Sequence, residues 1–292
     1  MQVNSYKIEL SSLDKIMFPE AGITKGDLID YYHRIGKAMI PLISDRPASM
    51  HRFPDGISNS GFFQQEIPDY FPGWIERIKV KKKEGGSITH VVCGKTADLV
   101  YLTNQGCITL HTWLSRRGNL SNPDRMIYDL DPQDDDFNLV CQGALELREA
   151  LSAVDLKPYV MTTGSRGLHV VVPLEGKQDF DTVRKFSRET TDKIALKNPE
   201  KFTTEQRKVK RRGRLYLDIS RNAYGQTAVA PYAVRPIEGA TVATPLEWEE
   251  IETGRIQTAR EYNIKNIFRR LAQKEDPWKD MDKNAASISN LE

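Results

Sequence analysis

The strongest constraint on this chain is a set of short apolar segments, most of which carry an acid or run into a turn. Met126 to Leu130 (MIYDL) alternates and runs into Asp131-Pro132. Leu168 to Leu174 (LHVVVPL) is almost entirely apolar, and Leu215 to Ile219 (LYLDI) carries Asp218 near its end. Segments of this kind read as strands. Pro158 to Thr162 reads as another, and Thr163 to Gly167 would join it to LHVVVPL as a hairpin. Helical spacing appears between them. Val140, Ala144, Leu147 and Leu151 share one helical face, as do Val183, Phe186 and Ile194. Upstream, Thr24 is placed to cap a helix, with Asp27 completing a capping box. Leu28, Tyr32, Ile35 and Met39 follow at helical spacing, and Pro41 and Pro47 should close the helix. The chain therefore mixes helix and strand.

Composition narrows the function classes. At 292 residues with 39% hydrophobic and 28% charged, the chain can build one large domain or two intimate lobes. No segment is long and apolar enough for a membrane span, and the N-terminus lacks a signal pattern. Lys+Arg 42 against Asp+Glu 40 leaves +2, so any nucleic acid must bind on a local patch. Cys93, Cys107 and Cys141 are scattered, without a C-x-x-C, as expected in a reducing cytosol and not in a disulfide scaffold or zinc knuckle. From about Lys274 the chain turns polar, and residues 275–292 are expected to form a loose tail on a single domain spanning 1–292.

The sharpest chemical feature is Tyr128-Asp129-Leu130-Asp131-Pro132. Residues two apart on a strand point the same way, so Asp129 and Asp131 share a face opposite Tyr128 and Leu130. Pro132 keeps the strand from continuing, which leaves the acids at its end. Parallel carboxylates repel unless cations neutralise them, and hard divalent ions such as Mg2+ or Mn2+ are natural partners. Asp218 offers a third strand-end acid, completing the donor set of a two-metal phosphoryl-transfer site. The plainer reading is an acidic surface turn, extended by Asp134, Asp135 and Asp136.

Thr163-Gly164-Ser165-Arg166-Gly167-Leu168-His169 offers hydroxyls, a guanidinium, an imidazole and two glycines that permit close backbone approach. This is either a decorated hairpin turn or, beside the acids, a triphosphate cradle. Gly94-Lys95-Thr96 is not a phosphate-binding P-loop, because Thr89 stands where the first glycine belongs. No K-x-D-G ligase motif occurs.

With YDLDP, TGSRGLH and LYLDIS in that order, the chain resembles the archaeo-eukaryotic primase superfamily. More specifically, it resembles the polymerase module of bacterial and archaeal DNA ligase D. Further segments carry the likeness: LDKIMFPEAGITKGDLIDYY, DRPASMHRFPDG, GFFQQEIPDYFP, LTNQGCITLHTWLSR and PYAVRP. The resemblance implies an α+β primase-polymerase fold, with mixed and antiparallel sheets flanked by helices in one catalytic unit of two close lobes. It also implies a template-directed nucleotidyltransferase of non-homologous end joining. This enzyme would use two Mn2+ or Mg2+ ions and favour ribonucleotides over deoxyribonucleotides. Its partners would be broken or gapped DNA, NTP or dNTP, and Ku and a DNA ligase, in a prokaryotic cytoplasm. No ligase or nuclease module is recognisable, so a stand-alone polymerase is expected.

Residue by residue, Asp129, Asp131 and Asp218 match the family's catalytic, metal-holding acids. His111, Arg52, Thr163, Ser165, Arg166, Gly167, His169, Arg221 and Arg235 match its nucleotide-binding positions. Taken alone, His111 beside Trp113 would read as core. Lys15 and Lys25 match a pair that grips a 5′-phosphate, and Lys25 would sit in the first turn of the capped helix, where backbone N–H groups attract anions. Phe62 and Phe63 match aromatics that stack on template bases, although adjacent aromatics usually leave one buried, so one stacking ring is expected. His51-Arg52 stands where relatives often carry Lys-Arg, Gln65 where lysine is common and Ser12 where asparagine is common, so altered affinity is expected.

Arg207, Lys208, Lys210, Arg211, Arg212 and Arg214 form a candidate track for phosphate backbone, with Arg211 in the DNA-binding set. Lys79, Lys81, Lys82 and Lys83 read as a solvated hairpin end. Rival readings are a replicative primase subunit, a metal-dependent nuclease and a non-catalytic DNA-end-binding protein. A primase subunit usually carries a zinc knuckle, which is missing here. A nuclease gives the lysine pair no task.

Overall fold

In the computed structural model, which describes residues 1–289, the chain forms two compact units, and both are built as mixed helix and strand. The first comprises residues 1–118, 227–243 and 262–270. Its organising helix starts at the predicted capping box: the Thr24 hydroxyl accepts the Asp27 N–H at 3.1 Å, and the Asp27 carboxylate accepts the Thr24 N–H at 2.8 Å. Helix α1 (Lys25–Ile43) buries Leu28, Tyr32, Ile35 and Met39 as the spacing requires. Pro41 does not close it. The proline lies inside the last turn, where only its own missing N–H is forfeited before the helix ends at Ile43.

Helix α2 (Thr96–Asn104) packs on α1, with the bare Cα of Gly36 against Thr96; a Cβ there would lie 2.4 Å from the Thr96 hydroxyl. Two small hairpins, β1 (Gln2–Val3) with β2 (Tyr6–Lys7) and β3 (Ile16–Phe18) with β4 (Ile23–Thr24), precede these helices in sequence. The main sheet uses β5 (Pro47–Arg52), β6 (Phe62–Gln64), β7 (Glu76–Lys81), β8 (Ser87–Val92), β9 (Cys107–Trp113) and β15 (Thr227–Val229). Their order is β15-β9-β5-β8-β7, with β6 also on β5, and every pairing is antiparallel. Tyr31 and Tyr32 tie α1 to this unit by donating to the Tyr232 and Ile108 carbonyls at 2.7 and 2.5 Å. The lysine-rich stretch after β7 is the predicted exposed hairpin end.

The second unit comprises residues 119–226, 244–261 and the C-terminal segment from 271. Its strands are β10 (Arg125–Asp131), β11 (Tyr159–Thr162), β12 (Leu168–Pro173), β13 (Phe202–Thr203), β14 (Leu215–Asp218) and β16 (Pro245–Leu246). They run in the order β13-β14-β10-β12-β11-β16, and only β13–β14 is parallel. Helices α3 (Phe137–Ser152) and α4 (Phe180–Lys197) realise the predicted amphipathic segments; Val140, Ala144, Leu147 and Leu151 are fully buried, whereas Phe186 is only half-buried. Shorter helices α5 (Lys208–Arg211), α6 (Trp248–Glu252) and α7 (Ile267–Gln273) complete the chain. No helix among the described residues is long and apolar enough to cross a membrane.

The expected loose tail is docked instead. Trp278, Met281 and Ile288 are buried, Trp278 donates its indole N–H to the Val160 carbonyl at 3.2 Å, and Ala286 bridges to Leu174. Three apolar anchors spread through a polar segment leave its composition polar while its packing is specific. The last part of that expectation, residues 290–292, lies outside the described residues.

β10 pairs with β14 only at its acidic end, from Asp129 to Asp131. Further back its edge is completed by a side chain: Asn222, fully buried, accepts the Ile127 N–H and donates to the Ile127 carbonyl, each at 2.8 Å. Asn222→Ala strands both backbone groups. At about 1–3 kcal/mol per buried unpaired group, it should lower unfolding stability by about 2–5 kcal/mol, read from the denaturant midpoint. A change below about 1 kcal/mol would show that water replaces the side chain.

Candidate active site

In the second unit, register gathers the acids. Asp129 on β10 lies directly across from Asp218 on β14 and, on its other side, from His169 on β12. Directly opposed residues project from the same face of a sheet, and Asp131, two residues on, shares that face. Tyr128, Leu130 and Leu217 occupy the opposite face and are fully buried. The three acids and His169 thus stand together at the ends of three adjacent strands; alternation along β10 puts Asp129 and Asp131 on one face, and strand register brings in Asp218 and His169.

Each acid is engaged. Asp131 pairs with Arg166 at 3.0 Å and lies 3.9 Å from Arg211. Asp129 lies 3.6 Å from the Arg221 guanidinium and 3.5 Å from His169 Nε2. Asp218 accepts the Ser220 N–H at 2.7 Å and the Tyr216 hydroxyl at 3.2 Å. Burial first, and then the charge of Asp218, pushes the Tyr216 phenol up to about 12, so it remains a donor. Among the described residues no three His, Cys, Asp or Glu side chains converge as a ligand cage. Even so, the donor set fits hard divalent ions: three carboxylates on one face, the side chains of Asp129 and Asp131 reaching solvent, and three guanidinium groups now balancing their charge.

The turn over these acids is rigid by construction. The Thr163 hydroxyl donates to the Gly167 carbonyl at 3.0 Å and accepts from the Ser165 and Gly167 N–H groups at 3.3 Å. Gly167 presses on β10: a Cβ there would lie 1.8 Å from the Leu130 carbonyl oxygen, between the two acids, so no other residue fits without moving that strand. This close approach carries Arg166 onto Asp131. Thr163 is buried and shapes the turn, so its hydroxyl is not presented to a phosphate as the sequence implied. Ser165, with its carbonyl held by Arg260 at 2.9 Å, is half-buried in the turn.

Arg211, expected on a DNA track, is instead buried, with its guanidinium over the Tyr216 ring at 4.1 Å and donating to the Glu205 and Gln206 carbonyls. Its place in this unit is beside Asp131. Arg207, Lys208, Lys210 and Arg212 remain exposed around it.

The other predicted residues lie in the first unit. The backbone joins Lys15 and Lys25, since the Lys25 N–H donates to the Lys15 carbonyl at 2.8 Å. Lys15 reaches Pro54 and Asp55, and Lys25 reaches Ser11 and the Asn104 carbonyl. Burial, and then the nearby charge of Lys15, lowers the Lys25 pKa from the usual lysine range. One expectation fails here. The first N–H groups of α1 are not free for an anion: those of Lys25, Gly26 and Asp27 go to Lys15, Leu13 and Thr24. The positive charge offered at this place is that of the two ammonium groups.

Phe62 and Phe63 also depart from expectation, because both are exposed, at 46% and 61%. They belong to the short strand β6, which pairs with β5. Phe63 stacks on His51 with centroids 4.0 Å apart and meets His111 edge-on at 5.3 Å. His111 is half-buried beside these rings, and Trp113 is the core residue. The charge of Arg235 adds to burial in lowering the His51 pKa, which places Arg235 near the same group. Arg52 is held by the Gln105 carbonyl and the Gln64 side chain.

Sequence reasoning missed Tyr216 and Arg260. Period 2 back from Asp218 could have found Tyr216. Nothing local points to Arg260, which is 95 residues from its partner Ser165.

Residues 24–278 match the family model of the LigD primase-polymerase domain. The chain is 31% identical over 248 residues to the multifunctional non-homologous end joining protein LigD of Mycolicibacterium smegmatis, covering 84% of this chain and 32% of that protein. It is 31% identical over 284 residues to the bifunctional LigD of Bacillus subtilis, covering 95% and 44%. It therefore spans less than half the length of these relatives. The structure of the polymerase domain from Mycobacterium tuberculosis ligase D, in complex with DNA, superposes with a TM-score of 0.89 at 26% identity, covering 96% of this chain and 99% of that one. With the acids, the turn and the match over most of its length in agreement, the chain belongs to the LigD primase-polymerase domain family.

Proposed function

We propose that this chain is a template-directed nucleotidyltransferase that fills gaps and extends DNA ends in non-homologous end joining. The observation that carries this reading is the register that sets Asp129, Asp131 and Asp218 on one face beneath the Arg166 turn. Asp129, Asp131 and Asp218 would hold Mn2+ or Mg2+. Bound there, the ions would neutralise the carboxylates and supply Lewis-acid polarisation for phosphoryl transfer.

The chain's own groups do the rest. Arg166 and Arg221, now paired with acids, are placed to exchange a carboxylate for a triphosphate oxygen, a charge-assisted bond of similar strength. Tyr216 and the Ser220 N–H fix the rotamer of Asp218, and His169 flanks Asp129. In the first unit, His111, Arg52 and Arg235 are proposed nucleotide contacts. Lys15 and Lys25 are the proposed grip on a 5′-phosphate. Ribonucleotide preference, Ku and a DNA ligase as partners, and a cytoplasmic location belong to the same proposal.

Single-nucleotide addition to a gapped duplex with a downstream 5′-phosphate, comparing each NTP with its dNTP in Mn2+, tests the reading. Template-matched addition is the expected result; strand shortening, or a shifted complex without addition, would replace the polymerase by a nuclease or an end-binding protein. Asp131→Ala should reduce addition by at least about 100-fold while DNA binding stays largely intact, because the lost carboxylate is a proposed metal ligand and not one of the proposed DNA contacts. Normal extension by that variant would remove Asp131 from the chemistry.

Lys15→Ala with Lys25→Ala should cut the preference for a phosphorylated over an unphosphorylated gap by about tenfold, since charge-assisted bonds to phosphate are lost. Equal weakening on both gaps would assign the lysines to general binding. Because burial lowers the Lys25 pKa, the wild-type preference should fade as pH rises, sooner than an ordinary lysine would allow. A preference unchanged up to the normal lysine range would show that Lys15 alone carries the charge.

A further inference from the structure

The turn at residues 163–167 is met by two guanidinium groups, and the proposed function uses only one of them. Arg166, within the turn, pairs with Asp131 at 3.0 Å. Arg260 comes from 95 residues away in sequence and donates its Nε–H to the Ser165 carbonyl at 2.9 Å. Both residues belong to the same compact unit. Arg260 is exposed, and among the described residues its two Nη groups meet no hydrogen-bond or ionic partner.

An exposed arginine on a turn is ordinarily a solvated brace, and two observations set this one apart. Its backbone is fixed: Ile256 and Ala259 just before it are buried, and the Arg260 N–H donates to the Thr258 hydroxyl at 3.3 Å. The second observation is which atom is spent. A guanidinium is a planar fork, so anchoring Nε on a carbonyl orients the Nη pair at its end, ready for two oxygens of one phosphate. A carbonyl partner leaves the cation its charge, whereas Arg166 is already balanced by a carboxylate. In nucleotidyl transfer the α-phosphorus reacts, so it belongs at the acids, and the β- and γ-phosphates extend from there over the turn. A terminal phosphate, like a phosphomonoester, carries about 1.5–2 negative charges near pH 7, which calls for a cation at that end.

We infer that Arg260 is a binding residue for the γ-phosphate of the incoming nucleoside triphosphate, held in place by the Ser165 carbonyl. The inference rests on the nucleotidyltransferase function proposed above.

The test uses the full chain on a gapped duplex with a 3′-dideoxy primer terminus and a templating thymine, in Mn2+. It compares the binding of ATP with that of ADP, which lacks the γ-phosphate. Arg260→Gln should weaken ATP binding about tenfold, the loss of one charge-assisted contact, and leave ADP binding unchanged. Arg260→Lys, which keeps the charge but not the fork, should lose less. Affinity for the gapped duplex without nucleotide should match wild type in both variants. Equal losses with ATP and ADP would make Arg260 a brace of the turn, and lost duplex affinity would assign it to the DNA backbone. No change with either nucleotide would leave it a surface residue, and each of these three results overturns the inference. A wild type that adds no nucleotide to the same duplex with an extendable primer would instead overturn the nucleotidyltransferase reading itself.

Discussion

Three aspartates held on one face of adjacent strands are the constraint around which the second unit is arranged. Carboxylates so close repel one another, and the fold offsets this with guanidinium groups from separate parts of the chain: Arg166 from a turn, Arg221 after β14 and Arg211 from α5. The sheet supplies the rigidity. β10 is central, bonded on both sides at its acidic end, and Asn222 completes its edge where β14 stops. Gly167 lets the turn press against the carbonyl between the two acids, so cation and carboxylate meet by backbone placement and not by a long flexible reach. A phosphate-handling site built this way is organised before any substrate arrives, and such preorganisation is where electrostatic catalysis gains most of its effect.

The first unit solves a related problem with opposite charge. Lys25 is buried near Lys15, and the Asp55 carboxylate, 2.9 Å from the Lys15 ammonium, offsets part of the repulsion between the two cations. Both are fixed by backbone carbonyls, Lys15 by Pro54 and Lys25 by Asn104, and Arg52 uses the next carbonyl along. Around Lys25 the carbonyl and the Ser11 hydroxyl orient the ammonium group without a carboxylate, whereas Lys15 is also paired with Asp55 at 2.9 Å. Both rings of β6 are exposed in the same unit.

Much of this was legible because it is local. Period 2 puts Asp129 and Asp131 on one face, and Thr24 with Asp27 is a capping box at any address in a fold. The amphipathic faces of α3 and α4 follow from spacing, although Phe186 shows that a periodic apolar residue need not reach the core. Expectations that failed turned on which hydrogen-bond or stacking partner each group takes, which spacing and composition do not reveal. The N–H groups of α1 are taken by Leu13 and Lys15, the Thr163 hydroxyl is spent inside its own turn, and Arg211 turns inward onto Tyr216. The polar C-terminal segment docks through three well-spaced apolar anchors that its composition conceals.

The sequence by itself determined the chemical inventory and its local geometry: strand-end acids, a glycine-bearing turn, capped helices and paired basic residues. These depend on backbone periodicity and nearest-neighbour hydrogen bonding, which act over a few residues. Tertiary structure decided which groups are spent and which remain available. It set Asp218 opposite Asp129, put Arg166 on Asp131, exposed both Phe62 and Phe63, and brought Arg260 to Ser165. Burial, register and charge pairing are sums over residues far apart in the chain, so no reading of short windows supplies them.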